Sequence, residues 1–141
     1  MLPRAYLAGP MSSYPQFNFP AFIRAAANLR EVGWDIISPA EIDDPEDFLY
    51  AMASPDGAMG NTPSGKTWGQ FLSRDVKIVA DDVQALILLP EWEKSRGAKL
   101  EVTTGLLSQH VFFEYLEDGP VWWVQDRSAE YISQKLANEM P

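Results

Sequence analysis

Two carboxylates stand where helical patterning does not ask for them. In "TWGQFLSRDVKIVADD" a helical projection gathers Trp68, Phe71, Leu72 and Val79 on one side, with Gln70, Ser73, Arg74 and Lys77 on the other. Asp75 falls within the apolar side, where the pattern asks for leucine. A carboxyl group in an apolar cleft gains proton affinity on burial, which suits a general acid. The plain alternative is an aspartate at the helix edge, reaching solvent or capping a loop. The second carboxylate is Glu101, at the end of "EWEKSRGAKLE" and directly after the apolar run "ALILLP". It is expected in the first turn or so of a helix, where the N-terminal amides favour the ionised form that a nucleophile needs. The ordinary preference of glutamate for a first turn explains its position equally well. In the same loop Ser95 and Gly97 offer a hydroxyl and unhindered N–H groups, the ingredients of an anion site. Lys94 and Arg96 flank them, but two cations on a surface loop are ordinarily just solvated.

A third stretch, "YLAGPMSSYPQFNFPAF", leaves a strand and ends in a helix start. Gly9 permits close backbone approach, Ser12, Ser13 and Asn18 supply donors, and a Tyr6 projecting from the strand would be able to hydrogen-bond a neighbouring carboxylate. Neither the GxGxxG nor the GxxxxGK[ST] pattern is present. Phe17 and Phe19 suit a core or a hydrophobic staple better than a base-stacking platform.

The elements that must hold these residues alternate. "RAYLAG" reads as a buried strand, and "FPAFIRAAANLREVG" as a helix with Pro20 in its first turn and Gly33 as its stop. "WDIIS" and "VQALILLP" read as strands, the second leading to the helix "GAKLEVTTGLLSQH". "VFFEYL" and "PVWWV" follow as strands and "DRSAEYISQKLANEM" as a last helix. This alternation predicts a single α/β domain over residues 1–141, with about five mostly parallel strands, helices on both faces and ligands beyond the strands' carboxyl ends. Between about 39 and 66 the chain turns to Pro, Asp, Gly, Ala and Met without sustained periodicity, although "PEDFLYAM" suits a short helix. A loop of that length suggests a lid, to which Phe48, Tyr50, Met52 and Met59 contribute or under which they pack. On the helix after "ALILLP", Ala98, Val102, Gly105 and Leu106 form one stripe, and Leu100 and Leu107 lie nearly opposite, beside Thr103 and Thr104. That outer face predicts a homodimer contact, unless the segment around Trp122 and Trp123 covers it within one chain.

Composition sets the bounds. The chain has 141 residues, is 46% hydrophobic and carries a formal net charge of -9. Such an acidic chain makes a poor partner for nucleic acid or an anionic membrane, while a small anionic ligand needs only a few local donors. With no cysteine and His110 as the single histidine, neither a disulfide nor a zinc cluster is expected. No segment approaches the roughly 20 apolar residues of a membrane span, and no leader pattern opens the chain. A cytoplasmic protein without a cofactor is the expectation. The acidity alone also suits an interaction protein that mimics nucleic acid, a reading that the organised cleft motifs disfavour.

Taken together, "YLAGPM", "NFPAF", the aspartate of "LSRD" and "WEKSRGAKLE" resemble the nucleoside 2-deoxyribosyltransferase-like superfamily, over roughly Arg4 to Gln109. The likeness is closest to its small phage and prophage branch. The resemblance implies a flavodoxin-like, homo-oligomeric domain in a bacterial or phage-infected cell, in which a glutamate attacks C1′ of a nucleoside or nucleotide. Glu101 matches that nucleophile, Tyr6 the tyrosine that orients it and Asp75 the acid near the base. The substrate side is then expected to comprise Gly9, Pro10, Met11, Ser12, Asn18, Phe19, Ser95 and Gly97. Transferases of the superfamily carry an aspartate six residues before the nucleophile, and the nucleotide hydrolases carry a serine that contacts the 5′-phosphate. Ser95 matches the hydrolases, whereas "GPMSSYP" departs from their phosphate turn. Hydrolysis of a nucleoside 5′-monophosphate is the leading expectation, with base transfer, or nucleotide binding without chemistry, as alternatives.

Overall fold

The computed structural model describes residues 2–117 and 124–139. Five strands form one sheet in the order β2-β1-β3-β4-β5: β1 Arg4–Ala8, β2 Asp35–Ile37, β3 Ala85–Leu88, β4 Val111–Tyr115 and β5 Val124–Arg127. The first four are parallel, and β5 runs antiparallel to β4. This is the flavodoxin-like order, and its switch point lies between β1 and β3, where the connections leave to opposite sides and open a crevice.

Alternating side chains send the central strands into two cores. Ala5, Leu7, Ala85 and Ile87 face helix α1 (Phe19–Glu31) and the short helix α2 (Pro45–Met52), packing with Phe22, Leu29 and Ala51. Tyr6, Ala8, Leu86 and Leu88 face α3 (Trp68–Asp81), α4 (Arg96–Leu107) and α5 (Ala129–Asn138), packing with Val79, Val102 and Ile132. Strands buried on both faces explain why "ALIL" is a continuous apolar run. Each leucine or isoleucine so buried contributes roughly 1.5–3 kcal/mol. At Gly105 a Cβ would lie 2.7 Å from Leu86 Cδ1, so the glycine lets α4 settle onto β3.

Local chemistry sets the helix ends. Thr67 accepts from the Gln70 amide while the Gln70 side chain accepts from the Thr67 amide, a reciprocal cap that starts α3. Ser95 Oγ accepts from the Ala98 amide, so α4 begins at Arg96. Glu101 therefore lies in the second turn, beyond the reach of the first-turn amides expected to ionise it. Asp126 and Arg127, expected in the last helix, belong to β5 because Ser128 caps α5. Of the expected strand "PVWWV", only Val124 lies within the described residues, as does none of the proposed cover from Trp122 and Trp123. Among the described residues no helix is long and apolar enough to cross a membrane.

Candidate active site

At the carboxyl ends of β1 and β3 lies a cavity of about 370 Å³. Its floor carries two helix carboxylates, Asp75 and Glu101, while Tyr6 lies outside the lining and touches the cavity through Glu101. Tyr6, in the middle of β1, is fully buried and donates its hydroxyl to Glu101 Oε2 at 2.6 Å. Asp75, from the second turn of α3, opens onto the same cavity. Glu101 and Asp75 retain only 6% and 7% exposure. Burial, followed by the charge of Asp75, pushes Glu101 well above the ordinary carboxyl range, and the Tyr6 bond works against that rise. Burial likewise raises Asp75, opposed by the adjacent Arg74 guanidinium. Tyr6 is pushed far above the usual phenol range by burial and the two carboxylates, so it stays a donor. The three side chains thus form a buried cluster that brings two carboxyls of raised proton affinity to one cavity.

One wall is the loop after β1. Gly9, Pro10, Met11 and Ser12 line the cavity as expected, and Phe19 joins them from the start of α1. The close approach that Gly9 permits is to protein: a Cβ there would lie 2.8 Å from Leu89 Cβ. Asn18 does not line the cavity. Its amide donates to the Pro10 carbonyl at 2.9 Å, so it shapes the loop in place of the expected substrate contact. The loop is strained, with Ser13, Gln16, Phe17 and Asn18 all at φ between 51° and 72°. Left-handed conformations at residues other than glycine cost of order 1–3 kcal/mol each and persist only where the surroundings fix them. Here Gln16 donates its backbone N–H to the Ser54 carbonyl and its side-chain amide to the Met52 carbonyl, and Ser13 N–H reaches the Gly57 carbonyl. These partners follow α2, so the two loops brace each other.

The facing wall is the segment at 39–66, which is folded and largely anchored. Tyr50, Ala51, Met59 and Thr62 line the cavity, whereas Phe48 and Met52 pack onto the core, Phe48 with its ring centroid 5.8 Å from that of Phe19. The buried Asp47 accepts from both the amide and the hydroxyl of Ser64, at 3.0 and 2.5 Å, and Lys66 pairs with Asp44. The helical projection put Arg74 on the solvent side of α3. In the fold its guanidinium turns into the cavity wall, giving Nη1 to Asp43 at 2.7 Å and Nε to Asp75 at 2.9 Å. Neither Arg74 nor Asp43 was expected in the site, because the pair joins residues 31 apart in sequence.

The mouth is formed by the loop after β3 and the start of α4. Ser95 and Gly97 both line the cavity, as expected. Trp92 fixes this loop from below by donating to Glu114 Oε2 at 3.0 Å. Glu114 also accepts from Arg127, Lys135 and Tyr131. Those partners outweigh its burial and hold it below the ordinary carboxyl range. Arg96 lies 5.2 Å over the Trp68 ring, and none of the described carboxylates forms an ion pair with it. Lys94 reaches Glu91 at 3.5 Å. Ser95 Oγ accepts the Ala98 amide, and a hydroxyl so engaged still has a proton to donate.

No curated protein and no solved structure matches the chain. A family model described as "Domain of unknown function (DUF4406)" matches residues 3–110, a span that holds every residue of the Tyr6–Asp75–Glu101 cluster and both loops at the cavity mouth. On that match, which covers most of its length, the chain belongs to the DUF4406 family.

Proposed function

We propose that the protein cleaves the N-glycosidic bond of a (deoxy)nucleoside 5′-monophosphate and releases the free base. The observation that carries this reading is the Tyr6 hydroxyl on Glu101 beside a second buried carboxyl, Asp75, at the floor of a cavity large enough for a nucleotide. The resemblance of the motifs around these residues to nucleoside 2-deoxyribosyltransferase-like enzymes supports it, as does Ser95 at the cavity mouth.

In the productive form Glu101 is ionised and Asp75 carries the proton. Glu101 attacks C1′ and forms an ester. The C1′–N bond breaks, its electron pair goes to the base, and the Asp75 proton neutralises the leaving nitrogen. Water then attacks the glycosyl-enzyme as Asp75 takes a proton from it, releasing the sugar phosphate and restoring both carboxyls. A second base in place of water makes the reaction a transfer. Incubation with a panel of nucleotides and nucleosides, followed by chromatography for free base, tests this. Release of base from a monophosphate, lost in Glu101→Gln, is expected. No release from any of them overturns the enzyme reading.

A nucleotide-binding module without chemistry is the second reading. It is favoured by the burial that raises the proton affinity of Glu101, the direction unfavourable to a nucleophile. Tight binding in calorimetry without cleavage establishes it.

We also assign the outer face of α4 to a homodimer. Leu100 and Leu107 stay 44% and 82% exposed while the opposite stripe packs on the sheet. Light scattering of the wild type and of Leu100→Glu with Leu107→Glu tests it, a dimer and a monomer being expected.

A further inference from the structure

We propose that Asp43, from the 39–66 segment, is a positioning residue that acts through Arg74 to keep Asp75 in its proton-carrying state. The inference rests on the reaction proposed above, in which Asp75 must hold a proton when the base departs.

The geometry poses a problem that Asp43 solves. Arg74 Nε lies 2.9 Å from Asp75 Oδ1, and a guanidinium alone against a carboxylate favours the ionised form, the wrong state for an acid. The same guanidinium gives Nη1 to Asp43 Oδ1 at 2.7 Å, the shorter of the two contacts. Its single positive charge is thereby divided between two carboxyls. Asp43 holds Arg74 in place as an orienting donor and offsets the charge by which Arg74 strips Asp75 of its proton. The fork is well shielded, with side-chain exposures of 9% for Asp43, 11% for Asp75 and 26% for Arg74, so solvent screens this balance little.

The groups facing Asp75 come from every element around it: Tyr6 from β1, Glu101 from α4, Arg74 from its own helix and Asp43 from the segment opposite. Asp47, on the same wall, has both oxygens on Ser64. Lys94 and Arg96 stand at the mouth, on Glu91 and over Trp68. Asp43 is thus the charged group that couples the 39–66 segment to the acid. The direction of the effect agrees with the geometry: Arg74 lowers the proton affinity of Asp75 and Asp43 raises it, after the larger contribution of burial.

The test is carboxyl-carbon NMR titration of Asp75 in the wild type, Asp43→Asn and Asp43→Glu, paired with pH–rate profiles on monophosphates having good and poor leaving bases. Asp43→Asn should shift the Asp75 midpoint to lower pH and move the basic limb of the rate profile with it. At neutral pH it should lose about tenfold or more on the poor leaving base while staying within about twofold on the good one. Asp43→Glu should restore both midpoint and rate. An unmoved midpoint in a folded Asp43→Asn, with the wild type active, overturns the inference and leaves the reaction standing. A shifted midpoint in a protein that cleaves nothing upholds the charge coupling and overturns the reaction. Equal losses on good and poor leaving bases, without rescue by Asp43→Glu, reduce Asp43 to a strut for the loop and overturn the inference.

Discussion

The Tyr6 hydroxyl reaches Glu101 Oε2 at 2.6 Å across a sequence separation of 95 residues, joining the central strand to the second turn of α4 inside the core. A phenol donating to a carboxylate favours the ionised form, while burial favours the neutral one. The working state of Glu101 is the outcome of that contest.

Tyr6→Phe removes the side of the contest that favours ionisation and keeps the ring. The Glu101 midpoint should move further up, and turnover at neutral pH should fall about 10–100-fold, the loss expected for one strong hydrogen bond of roughly 1.5–3 kcal/mol. Carboxyl NMR and steady-state kinetics check both. An unchanged rate removes Tyr6 from the chemistry.

Glu101→Gln should abolish turnover and change how stability depends on pH. Glu101 binds its proton more tightly folded than unfolded, so its contribution is fully present below the ordinary carboxyl range. It is lost as pH rises through the raised folded value, at up to about 1.4 kcal/mol per pH unit for one proton. Glutamine does not titrate, so the variant's Tm should gain on the wild type's as pH rises above the ordinary carboxyl range. Thermal melts from pH 5 to 9 measure the gain.

Ser95→Ala and Ser95→Asp separate two roles of one hydroxyl. Alanine removes the α4 cap at a cost of about 1 kcal/mol and should weaken a 5′-monophosphate more than the matching nucleoside. Aspartate restores a capping oxygen and should recover stability, yet repel the phosphate and move preference toward nucleosides. Calorimetry with both ligands, beside melting curves, checks the separation. Equal effects on the two ligands exclude a phosphate contact.

Glu114→Gln should destabilise by roughly 1.5–3 kcal/mol, because it leaves Lys135 and Arg127 beside a neutral amide. The sign with pH is opposite to that at Glu101. Glu114 is held below the ordinary range, so its contribution is present above the unfolded value and is lost as pH falls through the folded one. The variant's deficit should accordingly shrink in acid, as denaturant titrations at pH 7 and at pH 3 would measure.

Gly57→Ala should part the two braced loops. Gly57 has φ +66°, and a Cβ there would meet the Tyr14 carbonyl oxygen at 2.1 Å, backbone that has no flexible end to yield. Strain of about 1–2 kcal/mol from the left-handed conformation adds to that clash. Ligand affinity and Tm should both drop. Retained affinity would show that the bracing does not shape the cavity.

The fold was legible where burial leaves a periodic trace. The apolar run of β3 and the alternation of strands and helices gave the α/β class. Asp75 stood out because a charge interrupts an apolar stripe that the helix must bury. The remainder depended on tertiary partners. Arg74 looked solvent-facing because projection on a helix does not show that Asp43 waits across the cavity. The strained turn at Gln16, Phe17 and Asn18 left no glycine signal, since its unusual backbone is imposed by bonds from the Met52–Ser54 stretch. Asn18 looked like a ligand donor for the same reason, its real acceptor being the Pro10 carbonyl. Ser95 offers the same hydroxyl to an anion or to a helix start, and only the fold shows it capping α4, which sets Glu101 in the second turn.

The Trp68 ring beneath Arg96 gives the molecule an optical reporter of its own. It lies in the cavity wall and is 39% exposed, whereas Trp34 and Trp92 are buried among core residues. Indole emission responds to charge and hydration beside the ring, and a ligand that draws the guanidinium away alters both. Candidate compounds can therefore be ranked by the quenching or spectral shift that Trp68→Phe removes, in unlabelled protein and before any reaction product is known.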